Sequence, residues 1–107
     1  MRDILEVTER VASDLAGVEQ ATFLEDALLQ RALSYDLIVV GEAAARIPES
    51  VAARAPTVPW SDMRDMRNFL SHAYFRVDPL QLWTTVSSDL PSIVEPLHEL
   101  VETTEPD

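Results

Sequence analysis

Apolar residues recur every three or four positions along most of the chain, which is the spacing of an amphipathic helix. The N-terminal segment shows the pattern most clearly, with an apolar face made of Ile4, Val7, Val11, Leu15 and Val18. This periodicity predicts a first helix over residues 2–16. Gly17 follows it at a position typical of a helix C-terminus.

A second helical segment is predicted over residues 23–46, as one long helix or two nearly collinear ones. Thr22 and Glu25 have the spacing of a capping box, which would start this segment, and Pro48 would end it. Its periodic apolar residues are Leu24, Leu28, Tyr35, Ile38 and Val39. Gly41 costs a helix about 1 kcal/mol relative to Ala, so its presence favours the close approach of another helix.

All seven Pro residues lie C-terminal to residue 47, and they divide that part of the chain into shorter elements. Residues 49–59 predict one or two helical turns and an extended connection. Ser61 or Asp62 is expected to cap a helix that runs to about Phe75, and Asp78 with Pro79 is an N-cap and first-position pair for the last helix. Pro91 and Pro96 interrupt that last helix, so a kink or restart is expected near residue 90.

No alternating strand pattern and no internal repeat is present. The predicted fold class is all-α, an up-and-down bundle of four to five helices. The length of 107 residues fits a single domain over residues 1–107, in which residues 102–107 form a short acidic tail that is expected to fray.

The amino-acid composition excludes several kinds of functional site. The chain contains no Cys, which excludes a disulfide framework, a thiolate metal site and a cysteine nucleophile. The N-terminus is charged, unlike a signal peptide, and the longest uncharged apolar stretch, residues 37–41, is too short to cross a bilayer. We therefore expect a soluble protein without a membrane partner, cytoplasmic by default.

The formal net charge of −11 argues against a protein that grips nucleic acid over a long basic footprint. Any contact with RNA is expected to be small and local. The acidity suits either a basic partner or a salt-rich cytoplasm, and both remain open.

Residues 59–78 contain the candidate chemistry. At about 100° per residue, Arg67, Ser71 and Tyr74 form one stripe of the predicted helix, with Asn68 and His72 beside it. The opposite face is apolar and is predicted to pack in the core; it consists of Met63, Met66, Leu70 and Ala73.

These polar residue types suit the cleavage of RNA without a metal. His72 titrates near neutrality and could take the 2′-hydroxyl proton or protonate the leaving oxygen. The planar guanidinium of Arg67 could hold two phosphate oxygens. Asn68 could fix the imidazole tautomer or bind a phosphate oxygen, and Tyr74 could donate a hydrogen bond to the ribose or the phosphate.

Simpler interpretations apply to the same residues. An Arg and a His on one helix are common, so their spacing alone is weak support for catalysis. Asp62, Arg64 and Asp65 fit a solvated face with local ion pairs, and His98 fits a surface position. Trp60 and Trp83 fit core or dimer-interface anchors better than base-stacking platforms. No ligand spacing for a metal and no phosphate-binding loop is present, so no cofactor or metal is expected.

The segment resembles the signature of the HepT-like family in the HEPN superfamily, in which an Arg is followed after four residues by His, any residue and Tyr. Here these positions are Arg67, His72 and Tyr74. The similarity extends over nearly the whole chain, through residues 3–5, 38–44, 59–60, 66–68, 74–78, 82–83 and 89–91.

The resemblance implies a HEPN-like bundle that acts as a homodimer, with the two motif helices facing each other across a cleft. Its activity would be that of a metal-independent endoribonuclease and toxin, with Arg67 and His72 as the catalytic pair and Asn68 contributing. Tyr74 would be the residue to which a partner antitoxin, a nucleotidyltransferase of the MNT type, transfers AMP. A bulky, negatively charged nucleotide on Tyr74 would fill the cleft and repel RNA.

Two rival functions remain at this point: a non-catalytic module that docks a nucleotidyltransferase or a nucleotide, and a purely structural dimerisation domain. Neither rival needs a proton-transfer group and a phosphate clamp together. Glu42 is by residue type a helix-surface acid, but we hypothesise that it comes close enough to the motif helix to orient Arg67 or His72.

Overall fold

The computed structural model describes residues 1–73 and 78–104, with the side chains of residues 71–73 and 104 left undescribed. Every regular element in these ranges is helical. The elements are α1 (Arg2–Leu15), α2 (Gln20–Leu24), α3 (Ala27–Ala45), α4 (Glu49–Ala52), α5 (Trp60–Ala73), α6 (Pro79–Thr84), a π-helical segment (Thr85–Asp89), α7 (Leu90–Ser92) and α8 (Val94–Thr104). The all-α prediction is confirmed for this part of the chain.

The first helix ends where the sequence predicts. Helix α1 stops at Leu15, and Gly17 adopts a φ of +77°, a left-handed conformation that glycine takes at little cost. The predicted capping box at Thr22 is wrong, because Thr22 lies inside α2 and Glu25 follows the end of that helix. Asp26 caps α3 instead, since its Oδ1 accepts a hydrogen bond from the Leu29 N–H at 3.0 Å.

The predicted cap of α5 at Ser61 or Asp62 is also wrong, because the helix already includes Trp60. Its hydrogen bonding begins at the Pro59 carbonyl, which accepts from the Met63 N–H at 3.0 Å. The indole N–H of Trp60 donates to the carbonyls of Ala52 and Ala55. A tertiary anchor therefore sets the start of α5, and the structural role expected for Trp60 is confirmed.

The C-terminal helices start and are interrupted where the sequence predicts. Asp78 caps α6 by accepting from the Leu80 N–H at 3.0 Å, and Pro79 is in the first turn. The expected interruption near residue 90 takes the form of the π-helical segment, in which the Leu90 N–H donates to the Thr85 carbonyl. Pro91 explains the irregularity, because it has no N–H to continue the α-helical ladder.

Helix α8 runs to Thr104, into the segment expected to be a frayed tail, and Arg54 donates to both the carbonyl and the hydroxyl of Thr103. Residues 105–107 lie outside the described ranges. His98 is exposed on α8, as expected.

The core lies between the helices. Among its most deeply buried side chains are Ile4, Phe23, Leu33, Val86 and Leu97. Trp83 is half-buried, and its ring packs against that of Phe23 with centroids 5.1 Å apart. No described helix is both long enough and apolar enough to cross a membrane.

Helix α3 is apolar on two faces. Leu33, Leu37, Val40 and Ala44 point into the core. Several residues of the predicted apolar stripe lie on the other side instead, and Leu28 and Tyr35 are 69% and 65% exposed. The periodicity correctly indicated a helix, and Ile38 and Val39 of the predicted stripe are half-buried against the core, whereas Leu28 and Tyr35 do not belong to the core face.

Candidate active site

The candidate site is built where α3 and α5 cross. Gly41 of α3 lies against the backbone of α5: a Cβ atom at this position would be 2.8 Å from the Met63 carbonyl oxygen and would collide with the Cβ of Arg67. The close approach that the sequence predicted at Gly41 is therefore confirmed. Arg67 therefore leaves α5 at this close contact between the two helices.

The guanidinium of Arg67 has two partners. Its Nε and Nη2 donate to Oδ1 of Asn68 at 3.2 and 2.8 Å. Its Nη1 lies 3.7 Å from Oε1 of Glu42, within ion-pair distance. Glu42 is the residue after Gly41, so the helix crossing itself brings the carboxylate to the guanidinium.

Solvent exposure leaves this group open to a ligand. The Arg67 side chain is 27% exposed and that of Glu42 is 50% exposed. Such an ion pair in contact with water contributes little to stability. It does restrict where the guanidinium points, because the hydrogen bonds with Asn68 and the carboxylate of Glu42 hold it from two sides.

The predicted site residues are described to different extents. Arg67, Asn68 and Glu42 are brought together. Ser71 and His72 belong to α5 by their backbone, but their side chains lie outside the described residues. Tyr74 also lies outside them. The catalytic roles of Arg67 and His72, the supporting roles and the modification at Tyr74 therefore stay predictions.

The apolar face of α5 agrees with the sequence at its described side chains, and the side chain of Ala73 lies outside them. Leu70 is 2% exposed, and Met63 and Met66 pack against the core as half-buried side chains. The local ion pairs expected on the other face are absent from the described part of the chain: Asp62, Arg64 and Asp65 have no oppositely charged partner there.

Charge is distributed unevenly over the molecule. Residues 27–46 and 60–73, which include α3 and α5, contain four Arg and four acidic residues and so carry no formal net charge. The whole charge of −11 belongs to the rest of the chain. The two segments that build the candidate site thus add no formal net charge to a strongly acidic protein.

The sequence did not identify the exposed apolar face of α3 as part of this region. Tyr35 and Glu42 are seven residues apart and lie on the same side of the helix. Leu28 is a further seven residues back. The signal was the presence of apolar residues on all sides of residues 27–45, which is unusual for a helix with only one packed face.

Within the described ranges, no group of three or more His, Asp and Glu side chains is arranged to hold a metal ion.

Known proteins that resemble the chain are described as ribonucleases. A "Probable ribonuclease HepT" from Thermococcus cleftensis is 38% identical over 93 residues, covering 87% of this chain and 84% of its own. Proteins named "Putative RNase" from Methanocaldococcus jannaschii and Caldanaerobacter subterraneus are 29% and 28% identical, covering 94% and 95% of this chain and 83% and 91% of their own.

No solved structure matches the chain. A family model matches it over residues 4–100, which include both helices of the candidate site. The chain belongs to the family described as ribonuclease HepT-like.

Proposed function

We propose that the protein is a metal-independent endoribonuclease in which Arg67 and His72 form the catalytic pair. The observation that carries the proposal is the guanidinium of Arg67, held by Asn68 and Glu42 and still open to solvent, on the helix that also contains His72. The family description and the names of the relatives support the cleavage of RNA.

The proposed reaction needs no external cofactor. The 2′-hydroxyl of the substrate loses its proton to His72 and attacks the adjacent phosphorus. The bond to the 5′-oxygen of the next nucleotide breaks, and this oxygen takes up a proton from the protonated His72 or from water, which leaves a 2′,3′-cyclic phosphate and a 5′-hydroxyl. Arg67 stabilises the negative charge that develops on the phosphate oxygens.

Glu42 acts in this scheme as a positioning residue. Its carboxylate fixes Arg67 before RNA binds, at a distance of 3.7 Å that a phosphate oxygen can compete with. Glu42→Gln should therefore change kcat more than KM, because it loosens the guanidinium without removing it. Unchanged cleavage together with unchanged stability would exclude this role.

A homodimer is the proposed active form. Leu28 and Tyr35 expose large apolar surfaces on the face of α3 that also carries Glu42. A second copy packed on this face would bury them and would bring two Arg67 guanidinium groups toward one cleft. Two such sites together would offset the acidity of the surrounding surface.

We further propose that the protein is the toxin of a two-gene toxin–antitoxin pair. Its partner would be an MNT-type nucleotidyltransferase that transfers AMP to Tyr74, and the family resemblance and the Arg67, His72 and Tyr74 spacing support this assignment. Tyr74→Phe keeps Arg67 and His72 but loses the hydroxyl expected to hydrogen-bond the substrate. It should therefore retain part of the cleavage activity and become insensitive to the partner, and mass spectrometry should find AMP on the wild-type tyrosine alone.

The test of the ribonuclease uses the two histidines of the chain. Wild type, His72→Ala and His98→Ala are expressed alone, and the purified proteins are incubated with total RNA in excess chelator. Wild type and His98→Ala should arrest growth and produce 2′,3′-cyclic phosphate ends. His72→Ala should do neither, with a loss of at least about a hundredfold, the lower end of typical general acid–base contributions.

Either of two results would contradict the proposal. Cleavage that chelator abolishes would show that a metal performs the reaction. Equal inactivity of all three folded proteins would favour the alternative function, a non-catalytic HEPN module that docks a nucleotidyltransferase or a nucleotide.

A further inference from the structure

A second concave site lies on a different flank of α5 from Arg67. A cavity of about 340 Å³ opens between α3, α5 and the π-helical segment, and Arg67 does not line it. Its apolar wall includes Leu37, Val40, Met63, Met66 and Ile93. This volume is in the range of small-ligand sites.

The hydroxyl groups of Thr85 and Ser92 in this cavity donate hydrogen bonds to backbone carbonyls. The Thr85 hydroxyl donates to the Gln81 carbonyl at 3.1 Å, and the Ser92 hydroxyl donates to the Asp89 carbonyl at 2.6 Å. Both oxygen atoms therefore present acceptor lone pairs to a ligand. The backbone N–H of Leu90 is also engaged, through the π-helical bond to Thr85.

Two carboxylates complete the polar part of the cavity. Asp62 and Asp89 line it and are exposed, and neither makes an ion pair or hydrogen bond through its side chain within the described part of the chain. No Arg or His is among the lining residues. Thr57 also lines the cavity, with a hydroxyl that can donate or accept. The cavity thus offers an apolar surface, an excess of hydrogen-bond acceptors and two uncompensated negative charges.

From this combination we propose that the cavity binds a small organic cation, a primary amine or a guanidine carried on an apolar body. The body contacts Leu37, Val40 and the two methionines, and the cationic head donates hydrogen bonds to Asp62 and Asp89. An anion would be repelled, and a neutral isostere would lose the charge-assisted hydrogen bonds. The proposal does not depend on the ribonuclease function.

The chain contains three Met residues, which provide a direct readout. In protein labelled with ¹³C at the methionine methyl groups, Met63 and Met66 report on the cavity and Met1 serves as an internal reference. The probes are phenethylamine, 2-phenylethanol and phenylacetate, which share an aromatic body and differ in charge. Phenethylamine should give saturable shifts of Met63 and Met66 alone, with an affinity about tenfold or more above that of the alcohol.

A matched set of variants tests the carboxylates. Asp62→Asn and Asp89→Asn should each weaken the binding of phenethylamine about tenfold. Asp65→Asn removes the same charge from the same helix outside the cavity, and it should leave the affinity within about twofold.

Equal shifts by amine and alcohol would overturn the proposal and show a merely apolar cavity. The absence of saturable shifts in the wild-type protein would also overturn it. The same loss of affinity in Asp65→Asn as in Asp62→Asn would mean that general surface charge, not the cavity, attracts the amine.

Discussion

At the scale of single residues, Gly41 links packing to the candidate chemistry. Replacing it by Ala should improve helix propensity by about 1 kcal/mol, yet the added methyl would collide with Arg67 and the Met63 carbonyl. Because the colliding atoms belong to a helix backbone and its Cβ, α3 and α5 must separate. We expect Gly41→Ala to destabilise the fold by about 1–3 kcal/mol, the usual cost of overpacking, and to lower RNA cleavage.

Urea denaturation and cleavage assays at a temperature where the variant is folded would check this. Ala45→Gly, at the exposed last residue of the same helix, is the control; it should lose less than the cost of about 1 kcal/mol that Gly has in a helix interior, and it should leave cleavage unchanged. A variant Gly41→Ala that is more stable than wild type would show that the contact between α3 and α5 is loose.

Asp36 is the second residue whose effect on the free energy of unfolding can be tested. It is 8% exposed on α3, and burial raises its pKa above the ordinary value of 3.8, with Asp14 adding to the rise. Arg10 opposes the shift, at 3.9 Å, from a side chain that is 60% exposed. The folded state therefore binds the Asp36 proton more tightly than the unfolded state does, and stability from this group declines as pH rises through its folded pKa.

The expected outcome is that Asp36→Asn raises the free energy of unfolding at pH 7, and that the advantage shrinks as the pH falls toward 3.8. Urea midpoints measured across this range would show it. Arg10→Gln should have the opposite effect at pH 7 and little effect in acid. A wild-type protein with a higher urea midpoint than Asp36→Asn at neutral pH would mean that the ion pair between Arg10 and Asp36 outweighs the desolvation of the carboxylate.

At the scale of elements, the start of α3 gives the next prediction. Asp26→Ala removes the carboxylate that accepts from the Leu29 N–H, and it should cost about 1 kcal/mol. Glu25→Ala removes an adjacent exposed carboxylate, and Thr22→Ala removes the hydroxyl of the predicted capping box. Both should stay within about 0.5 kcal/mol of wild type. If Thr22→Ala proved the most damaging in thermal unfolding, the capping-box interpretation would be right after all.

The elements that the sequence located well are those with local causes. Gly17, Pro48 and the Asp78–Pro79 pair act through their own backbone conformations, so their positions mark helix ends without knowledge of the fold. The start of α5 was missed because the buried indole of Trp60 sets it, through carbonyls eight and five residues away in the chain. Local propensity at Ser61 or Asp62 could not reveal that contact.

The candidate site shows the same division. The motif spacing placed Arg67 and Asn68 together, and Gly41 indicated a close helix crossing, so Glu42 could be put near Arg67 from sequence. The cavity beside Asp62 and Asp89 could not be predicted from the sequence, because it forms only where α3, α5 and the π-helical segment meet in space. Its polar character depends on which hydroxyl groups already donate hydrogen bonds to backbone carbonyls. Only the three-dimensional structure provides that information.

At the scale of the whole molecule, the two apolar faces of α3 support the proposal that a second copy of the chain covers one of them. The inner face packs in the core, while Leu28 and Tyr35 leave large side chains in water. Formal charge in this region is balanced, unlike the acidic remainder, so a second copy can approach here with the least repulsion. This is the physical reason to place the proposed dimer interface on α3.

The final prediction follows from that placement. Tyr35→Ser should weaken dimerisation more than about tenfold, because burying an aromatic side chain contributes roughly 1.5–3 kcal/mol. Phe69→Ser removes an aromatic side chain that is 54% exposed on α5 and should leave the dimer intact. Sedimentation velocity over a range of protein concentrations would compare the two variants with wild type.

Cleavage measured on the same dilution series separates assembly from chemistry. If two copies form one cleft, Tyr35→Ser should lose activity at low concentration and recover it when concentration restores the dimer. Dissociation caused by Phe69→Ser would place the interface on the other flank of α5. Full activity of a monomeric Tyr35→Ser would show that one Arg67 and one His72 suffice, and the apolar face of α3 would then have to be covered by a different partner.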